Sequence, residues 1–490
     1  MSEEPISLAD ARKRKGRSRG PGGSGAGPST DSDIDKAIDR INSGHALVLI
    51  GDKALVLRET ISRDGKPEVG FLTPTAFRLW FANEVFLWTN GVMSIGDIWL
   101  SHQRRRQYRS IEFAPDGTDP DVYNLWHGFA VKPANPLKDP EEHRIHFEKF
   151  DGHLLDNVCG GSYEVYRWVF GWFAHMIQRP TERLGTALVL RGRQGTGKTT
   201  VGEVFGRLVG PHYALVDDPR YLVGQFNAHM SSCLLLQADE GFWAGDKEAE
   251  GKLKGLITSG THFIERKGVD PVPVRNLVRL MVTSNNDWVV PAGMEERRFA
   301  VLDVGDAVMQ NAGYFREMWS ELENGGLSHL LTYCQKFDLA SVDLRKIPAT
   351  SALFEQKVSS LDPIPSWWYE RLQAGSPTAH LSNWPGSMPT THLYSSYVNY
   401  AERLGVRRKA TPTQFGIALR RLIPSVPEFK RVRLSVQQYG PNGEELCDAN
   451  GNPIMKRDWG YTLPDLGVCR LYFGEILHHA IDWGEPLDGV

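Results

Sequence analysis

The chain has 490 residues, a formal net charge of −3, 41% hydrophobic residues and 23% charged residues. A chain of this length exceeds the size at which one hydrophobic core usually keeps growing, so we expect two or three folded domains and exclude a largely disordered protein. The small net charge neither requires nor excludes a nucleic-acid partner, because such binding depends on local basic patches.

The cysteines and the apolar runs exclude several other classes. The five cysteines are scattered and include no C-x-x-C pair, so neither a zinc ribbon nor a disulfide framework is indicated, and we expect a cytoplasmic protein. No apolar run approaches the roughly 18 residues of a membrane span, so no membrane partner is expected.

Residues 1–34 are expected to form a disordered basic tail. A cluster of Arg and Lys between positions 12 and 19 is followed by a Gly/Pro/Ser-rich stretch, which cannot bury apolar area. The tail is either a solvated segment or a nonspecific DNA-binding arm.

Residues 35–160 are expected to form a small α/β domain. Short apolar strands at 45–50 and 54–57 are separated by a turn. Arg104, Arg105, Arg106 and Arg109 lie beside aromatic residues and represent either a nucleic-acid patch or a solvated helix end.

Residues 161–345 carry the chemistry. Apolar residues between 163 and 177 have the spacing of a helix with one buried face, and residues 186–303 then alternate apolar strands with helices. This alternation predicts an α/β fold with a parallel sheet.

A complete G-x-x-x-x-G-K-[ST] motif follows the strand at 187–190 and precedes a predicted helix. In this setting the backbone N–H groups face phosphates, Lys198 reaches the β and γ phosphates, and Thr199 ligates Mg²⁺. The predicted ATP-binding residues are Gly192, Arg193, Gln194, Gly195, Thr196, Gly197, Lys198, Thr199 and Thr200.

Polar residues at the ends of later strands indicate which class of nucleotide-binding protein the sequence encodes. Asp239 and Glu240 end a buried strand, and we expect Asp239 to hold the Mg²⁺ hydration shell and Glu240 to act as general base in ATP hydrolysis. Asn285 ends the next strand, where it can sense the γ-phosphate or hold the lytic water. A simple strand-end cap is the alternative for Asn285.

Arg297 and Arg298 precede another apolar strand. An arginine there can reach a nucleotide held by a neighbouring subunit and stabilise the charge of the transferred phosphoryl group. A surface salt bridge is the alternative for either side chain.

The C-terminal part is expected to comprise a proline-containing linker at 346–385 and a winged-helix-like domain at 386–490. A helix at about 391–404 is followed by a second helix that begins with a capping box at 411–414, and two apolar stretches then suggest a long hairpin. Arg408, Arg420 and Arg421 are the predicted DNA-binding residues of this domain.

These motifs, taken in order, resemble superfamily 3 helicases, with the nearest likeness to the helicase part of phage and plasmid primase-helicases. The resemblance covers about residues 160–345 and includes Ala238-Asp239-Glu240, residues 253–258, 264–267, Thr283-Ser284-Asn285 and residues 296–299. It implies an AAA+-like P-loop core, a homo-hexameric ring that hydrolyses ATP between subunits, and movement on single-stranded DNA.

The resemblance also implies a DNA-gripping hairpin that carries Arg266 and Lys267 at its tip. Where many relatives place a large residue after this lysine, the present chain has Gly268. An ordinary charged turn is the alternative.

The combined prediction is an ATP- and Mg²⁺-dependent helicase of a phage or mobile element, acting on single-stranded and forked DNA in a bacterial cytoplasm. No credible two-metal acidic site for priming is found, so a separate primase or polymerase is expected as partner. An ATP-switched initiator or loader and a double-stranded DNA translocase are the alternatives.

Overall fold

The computed structural model describes residues 31–63, 65, 67–88, 91–224, 227–239, 247–266, 269–424, 429–437 and 446–484. The chain divides into two compact units, one within Met1–Ile111 and Asp119–Tyr123, the other within Glu112–Thr118 and Asn124–Val490. The division falls before the predicted border at residue 160. The reason is that the chain after Asn124 bonds to the second unit, as where Ala130 N donates to Leu208 O at 2.8 Å.

The first unit contains a four-stranded sheet in the order β3-β2-β1-β6. Its helices and strands are α1 (Asp31–Asn42), β1 (His45–Ile50), β2 (Lys53–Ile61), β3 (Pro67–Leu72), α2 (Pro74–Trp80), β4 (Val85–Trp88), β5 (Gly91–Ser94), α3 (Ile95–Ser101) and β6 (Gln107–Tyr108). Helix α1 starts inside the predicted tail, because Ile34, Ile38 and Ile41 form an apolar face that is buried with Phe77 and Trp99. The basic cluster of the tail lies outside the described residues.

The second unit is built around a five-stranded parallel sheet in the order β10-β11-β14-β9-β15. Its strands are β9 (Ala187–Arg191), β10 (Tyr213–Val216), β11 (Leu235–Asp239), β12 (Thr261–Arg266), β13 (Val269–Arg275), β14 (Arg279–Ser284), β15 (Phe299–Asp303), β16 (Ser387–Pro389), β17 (Arg431–Gln437) and β18 (Met455–Thr462). Strands β7 (Ser110–Glu112) and β8 (Val122–Asn124) each have residues in both units. Parallel strands need crossover connections, and helices lie in those from β9 to β10, from β10 to β11 and from β11 to β14. The predicted parallel sheet is therefore present.

The α-helices of the second unit cover the sheet and continue into the C-terminal region. They are α4 (Glu148–Gly152), α5 (Tyr163–Gln178), α6 (Lys198–Val209), α7 (Pro219–Val223), α8 (Lys247–Thr258), α9 (Ala312–Glu321), α10 (Leu327–Lys336), α11 (Ser351–Ser359), α12 (Pro363–Ala374), α13 (Thr390–Arg403), α14 (Pro412–Leu422) and α15 (Leu466–Leu477). Helix α5 matches the predicted helix at 163–177, and its apolar face is buried.

The predicted linker at 346–385 is wrong, because α11 and α12 occupy much of it. Pro363 lies in the first turn of α12 and not in an extended spacer. Proline lacks a backbone N–H, and in the first turn of a helix that N–H would have no intrahelical partner. Trp367 and Trp368 are fully buried in the C-terminal core. Glu355 of α11 pairs with Arg191 at the end of β9, so this segment also contacts the central sheet.

The C-terminal region contains the two predicted helices and the predicted hairpin. The capping box at the start of α14 is confirmed, since Thr411 and Gln414 each accept from the backbone N–H of the other. Strands β16, β18 and β17 form a three-stranded antiparallel sheet.

No helix within the described part of the chain is long and apolar enough to cross a membrane. The five cysteines are unpaired, and all but Cys447 are buried.

Candidate nucleotide site

The glycine-rich loop at 192–199 joins β9 to α6 and depends on glycine for its path. The φ angles of Gly192, Gly195 and Gly197 are 149°, 80° and 87°, in the region that side chains disfavour. A Cβ at Gly197 would lie 2.6 Å from the His153 ring and 2.8 Å from the Phe315 ring. These positions therefore require glycine for both conformation and space.

Lys198 is held by acceptors in the loop and at the end of β14. Its Nζ donates to the carbonyl oxygens of Gly192 and Arg193 at 2.8 and 2.7 Å and to Oδ1 of Asn285 at 2.9 Å. The side chain is nearly buried, with 6% of the residue exposed. The structure thus brings together Lys198 and Asn285, which are 87 positions apart in sequence.

Thr199 and Asp239 meet at the same edge of the sheet. Thr199 Oγ1 donates to Asp239 Oδ2 at 3.3 Å, and the Thr283 hydroxyl donates to the other carboxylate oxygen. The carboxyl ends of β9, β11 and β14 lie side by side, so a hydroxyl, a carboxylate and an amide converge on one place. Oxygen ligands of this kind are what Mg²⁺ prefers.

A cavity of about 400 Å³ opens at this edge. It is lined by residues 194–200 together with Asp239, Asn285, Gln310, Ala312 and Phe315. The predicted loop residues from Gln194 to Thr200 thus share one cavity with two of the predicted strand-end residues. Glu240 lies outside the described residues.

Several residues of this site were not found from the sequence. Asn157 is buried and donates from Nδ2 to the carbonyl oxygen of Thr196 at 3.0 Å, and Gln310 N donates to Gly195 O at 2.9 Å. His153 is buried against Gly197 and Phe315, and this burial lowers its pKa. They come from segments before β9 and after β15 that carry no motif of their own.

Glu203 on α6 is a further acidic group near the site. Burial and the neighbouring Asp239 carboxylate raise its pKa. Glu203 lies just beyond the G-x-x-x-x-G-K-[ST] motif, and the motif does not specify a residue at this position.

The residues present suit a nucleoside triphosphate with Mg²⁺. Residues 194–200 line the cavity, and the first turn of α6 directs N–H groups towards it. Mg²⁺ usually keeps several waters and takes only one or two carboxylates from protein, which fits a site with Thr199 and Asp239.

Arg297 and Arg298 do not join this site. The carbonyl oxygen of Arg298 accepts from Ala187 N, which places both arginines at the amino-terminal edge of the sheet, whereas the loop follows its carboxyl-terminal edge. A five-residue strand separates the two edges by roughly 17 Å. Arg298 pairs with the buried Glu296 at 3.4 Å, while Arg297 is exposed.

The predicted DNA-binding residues lie on separate surfaces. Strands β12 and β13 form an antiparallel hairpin as expected, but Lys267 at its tip lies outside the described residues, and only the backbone of Arg266 is described. Arg408, Arg420 and Arg421 are exposed on and before α14.

Three of the four arginines in the cluster at 104–109 are paired with carboxylates. Arg104 bonds to Asp35 and Asp39, and Arg106 to Glu59. Arg109 bonds to Asp119 and Asp121. Of the two interpretations of this cluster, these ion pairs argue against the nucleic-acid patch, because they neutralise its charge.

Comparison with known proteins finds similarity to one protein family and to a phage protein. Residues 190–298 match a family of unknown function, DUF5906. Over 204 residues the chain is 26% identical to the DNA primase-polymerase of Nitratiruptor phage NrS-1, a stretch that covers 41% of this chain and 27% of the relative. The match therefore spans only about a quarter of the relative's length.

Solved structures of NrS-1 show a similar fold. An apo structure of the NrS-1 C-terminal region has a TM-score of 0.58 and 15% identity, and the alignment covers 89% of this chain and all of that one. The A form apo structure of the same region has a TM-score of 0.56 and 15% identity, covering 87% and 98% of the two chains. The chain thus has a mixed α/β fold similar to that of the NrS-1 C-terminal region, and part of its sequence is similar to a phage DNA primase-polymerase.

Proposed function

We propose that this chain is an ATP-driven DNA helicase of the superfamily 3 type, with a P-loop core, acting in the replication of a phage or another mobile element. The observation that carries the proposal is the cavity in which Lys198 bonds to Asn285 while Thr199 bonds to Asp239. The similarity to a DNA primase-polymerase supports replication as the setting.

Four residues of the cavity, and Glu240, have proposed tasks. Lys198 exchanges its carbonyl and amide acceptors for phosphate oxygens, and Asn285 then orients the attacking water or the γ-phosphate. Thr199 and Asp239 hold Mg²⁺, which neutralises charge on the phosphates. Glu240 follows Asp239 directly in the chain and is proposed as the general base.

Oligomerisation is proposed on the position of Arg297. This exposed side chain stands at the sheet edge remote from the loop, so it can serve only a nucleotide of another subunit. A homo-hexameric ring would place such an arginine at every interface.

DNA contact is proposed for two regions. Lys267, with Arg266, would grip single-stranded DNA from the β12–β13 hairpin, and Arg408, Arg420 and Arg421 would contact duplex DNA from a winged-helix-like C-terminal domain. A separate primase or polymerase remains the proposed partner.

The deciding experiment measures ATP hydrolysis and strand displacement on a forked DNA substrate. Wild-type protein is expected to hydrolyse ATP faster with single-stranded DNA and to separate the fork. Lys267→Ala is expected to keep basal hydrolysis and lose both DNA stimulation and unwinding. ATP-dependent DNA binding without strand separation would instead favour the initiator or loader, and absence of ATP binding would refute the proposal.

A further inference from the structure

The hairpin of β17 and β18 carries a basic and aromatic face. In the antiparallel register Arg433 stands opposite Trp459, and Ser435 stands opposite Arg457. Because side chains alternate along a strand, Arg431 lies on this face as well. We call these four side chains, Arg431, Arg433, Arg457 and Trp459, the hairpin face.

Two of the three cationic groups of the hairpin face are stacked on its aromatic ring. The guanidinium carbons of Arg431 and Arg433 lie 4.4 and 4.1 Å from the centre of the Trp459 ring. All four side chains of the face are exposed. Planar guanidinium groups held on an indole are favourably oriented and lose less side-chain freedom when they bind a ligand.

No acidic group balances this charge within the part of the chain that the structure describes. Among those residues, the three arginines of the face take part in no ion pair. Asp458 is turned to the opposite side of the hairpin, where its Oδ2 accepts from the Thr391 hydroxyl at 3.1 Å. The positive potential of the face is therefore directed to solvent.

The base of the hairpin is anchored in the C-terminal core. Tyr461 continues the face but is buried, and it stacks on Phe429 with ring centres 4.8 Å apart. A Cβ added to Gly416 of α14 would lie 3.3 Å from the Tyr461 hydroxyl. The face is thus fixed beside the helix that carries Arg420 and Arg421.

We propose that the hairpin face binds single-stranded DNA. Guanidinium groups match phosphate oxygens in pairs, and an exposed aromatic ring among them offers a stacking surface for bases. Bases of a duplex are stacked on each other, so only an unpaired strand can use both features. The inference rests on the proposed action of this chain on DNA, but it requires no ATP hydrolysis.

The test compares two neutralised variants of the full chain. In one, Arg431, Arg433 and Arg457 are replaced by Gln. In the control, three other exposed cations, Lys336, Arg345 and Lys346, are replaced by Gln. Binding of a fluorescent oligo-dT and of a duplex is measured by anisotropy at several salt concentrations without nucleotide.

The face variant is expected to bind oligo-dT more weakly and with a flatter salt dependence. Each phosphate contact on a single strand contributes a slope of about −0.7, so three lost contacts reduce it by about 2. Trp459→Leu is expected to weaken binding roughly tenfold with little change of slope, and Trp459→Phe to restore most of it. The control variant should behave as wild type.

Unchanged oligo-dT binding in the face variant would overturn the proposal, as would equal losses in face and control variants or a loss confined to duplex. If the triple variant unfolds, Arg433→Gln alone is judged by the same criteria. Wild-type oligo-dT binding that depends on the hairpin face in a protein without ATPase activity would support this inference while refuting the helicase proposal.

Discussion

Asn285 Oδ1 accepts a hydrogen bond of 2.9 Å from Lys198 Nζ. The bond joins the end of β14 to the glycine-rich loop that follows β9, two strands that are neighbours in the sheet. A strand-end cap would bond to its own backbone, so this cross-strand partner favours the nucleotide-sensing interpretation of Asn285.

Replacing Asn285 by Ala is expected to slow ATP hydrolysis much more than it weakens ATP binding. Lys198 keeps two carbonyl acceptors, whereas the water or γ-phosphate loses its amide, and a lost preorganised group of this kind costs about 10²- to 10³-fold in rate. Steady-state hydrolysis and equilibrium binding measure the two effects. Asn286→Ala, at the adjacent exposed position, is the control, and equal hydrolysis by both variants would argue against the role.

Lys198→Ala and Glu240→Gln are expected to abolish hydrolysis in different ways. Lys198 is proposed to bind phosphate, so its loss should remove nucleotide binding, whereas Glu240 is proposed to activate water, so its amide variant should still bind ATP. Binding of a fluorescent ATP analogue to each purified variant distinguishes the two. Equal loss of binding in both would contradict the assigned tasks.

Mixing Arg297→Ala subunits with Lys198→Ala subunits is expected to restore part of the ATPase activity. Each variant alone lacks one half of an interface, but a mixed ring contains some interfaces with an intact Lys198 and an intact Arg297. An arginine acting in trans is worth roughly 10³- to 10⁵-fold in rate, so recovered activity should be readily detected. Absence of recovery at every mixing ratio would eliminate the trans role, and Arg298→Ala serves as a comparison because Arg298 pairs with Glu296.

Gly197→Ala is expected to destabilise the protein more than Gly185→Ala. Both glycines have positive φ, at 87° and 72°, which costs an alanine roughly 1–2 kcal/mol, but only at Gly197 would the new methyl group meet other atoms within 4 Å. Thermal unfolding measures the difference. Because the obstacle includes His153, the effects of Gly197→Ala and His153→Ala should be less than additive, and full additivity would count against the clash.

Stability is expected to fall as the pH is lowered from 6.5 towards 4. Burial lowers the pKa of His175, His212 and His262 to about 4, so between these pH values the unfolded chain binds protons that the folded chain does not. Each such histidine lowers the free energy of unfolding by roughly 2 kcal/mol at pH 5, and this stability is fully present above pH 6.5. Urea unfolding at pH 7 and pH 5 measures the loss.

His212→Gln is expected to reduce this pH dependence, while the exposed His392→Gln should leave it unchanged. The same pH dependence in both variants would show that His212 is not one of the groups responsible.

The sequence by itself determined the local parts of the candidate site. A strand, a glycine-rich turn and a helix N-terminus are adjacent in the chain, so the motif from Gly192 to Thr199 specifies its own backbone path. The capping box at Thr411 and Gln414 was predictable for the same reason. The prolines after residue 346 led to the wrong prediction of a linker, because Pro363 is equally suited to a spacer and to the first turn of a helix.

Only the tertiary structure decided which distant residues meet. Asn157, His153 and Gln310 reach the loop from segments without any motif, because packing against the sheet brings their segments beside it. Strand direction placed Arg297 at the edge opposite the loop, and strand register placed three arginines and Trp459 on one face of a hairpin. These arrangements depend on contacts between residues far apart in the chain, and local sequence patterns do not encode such contacts.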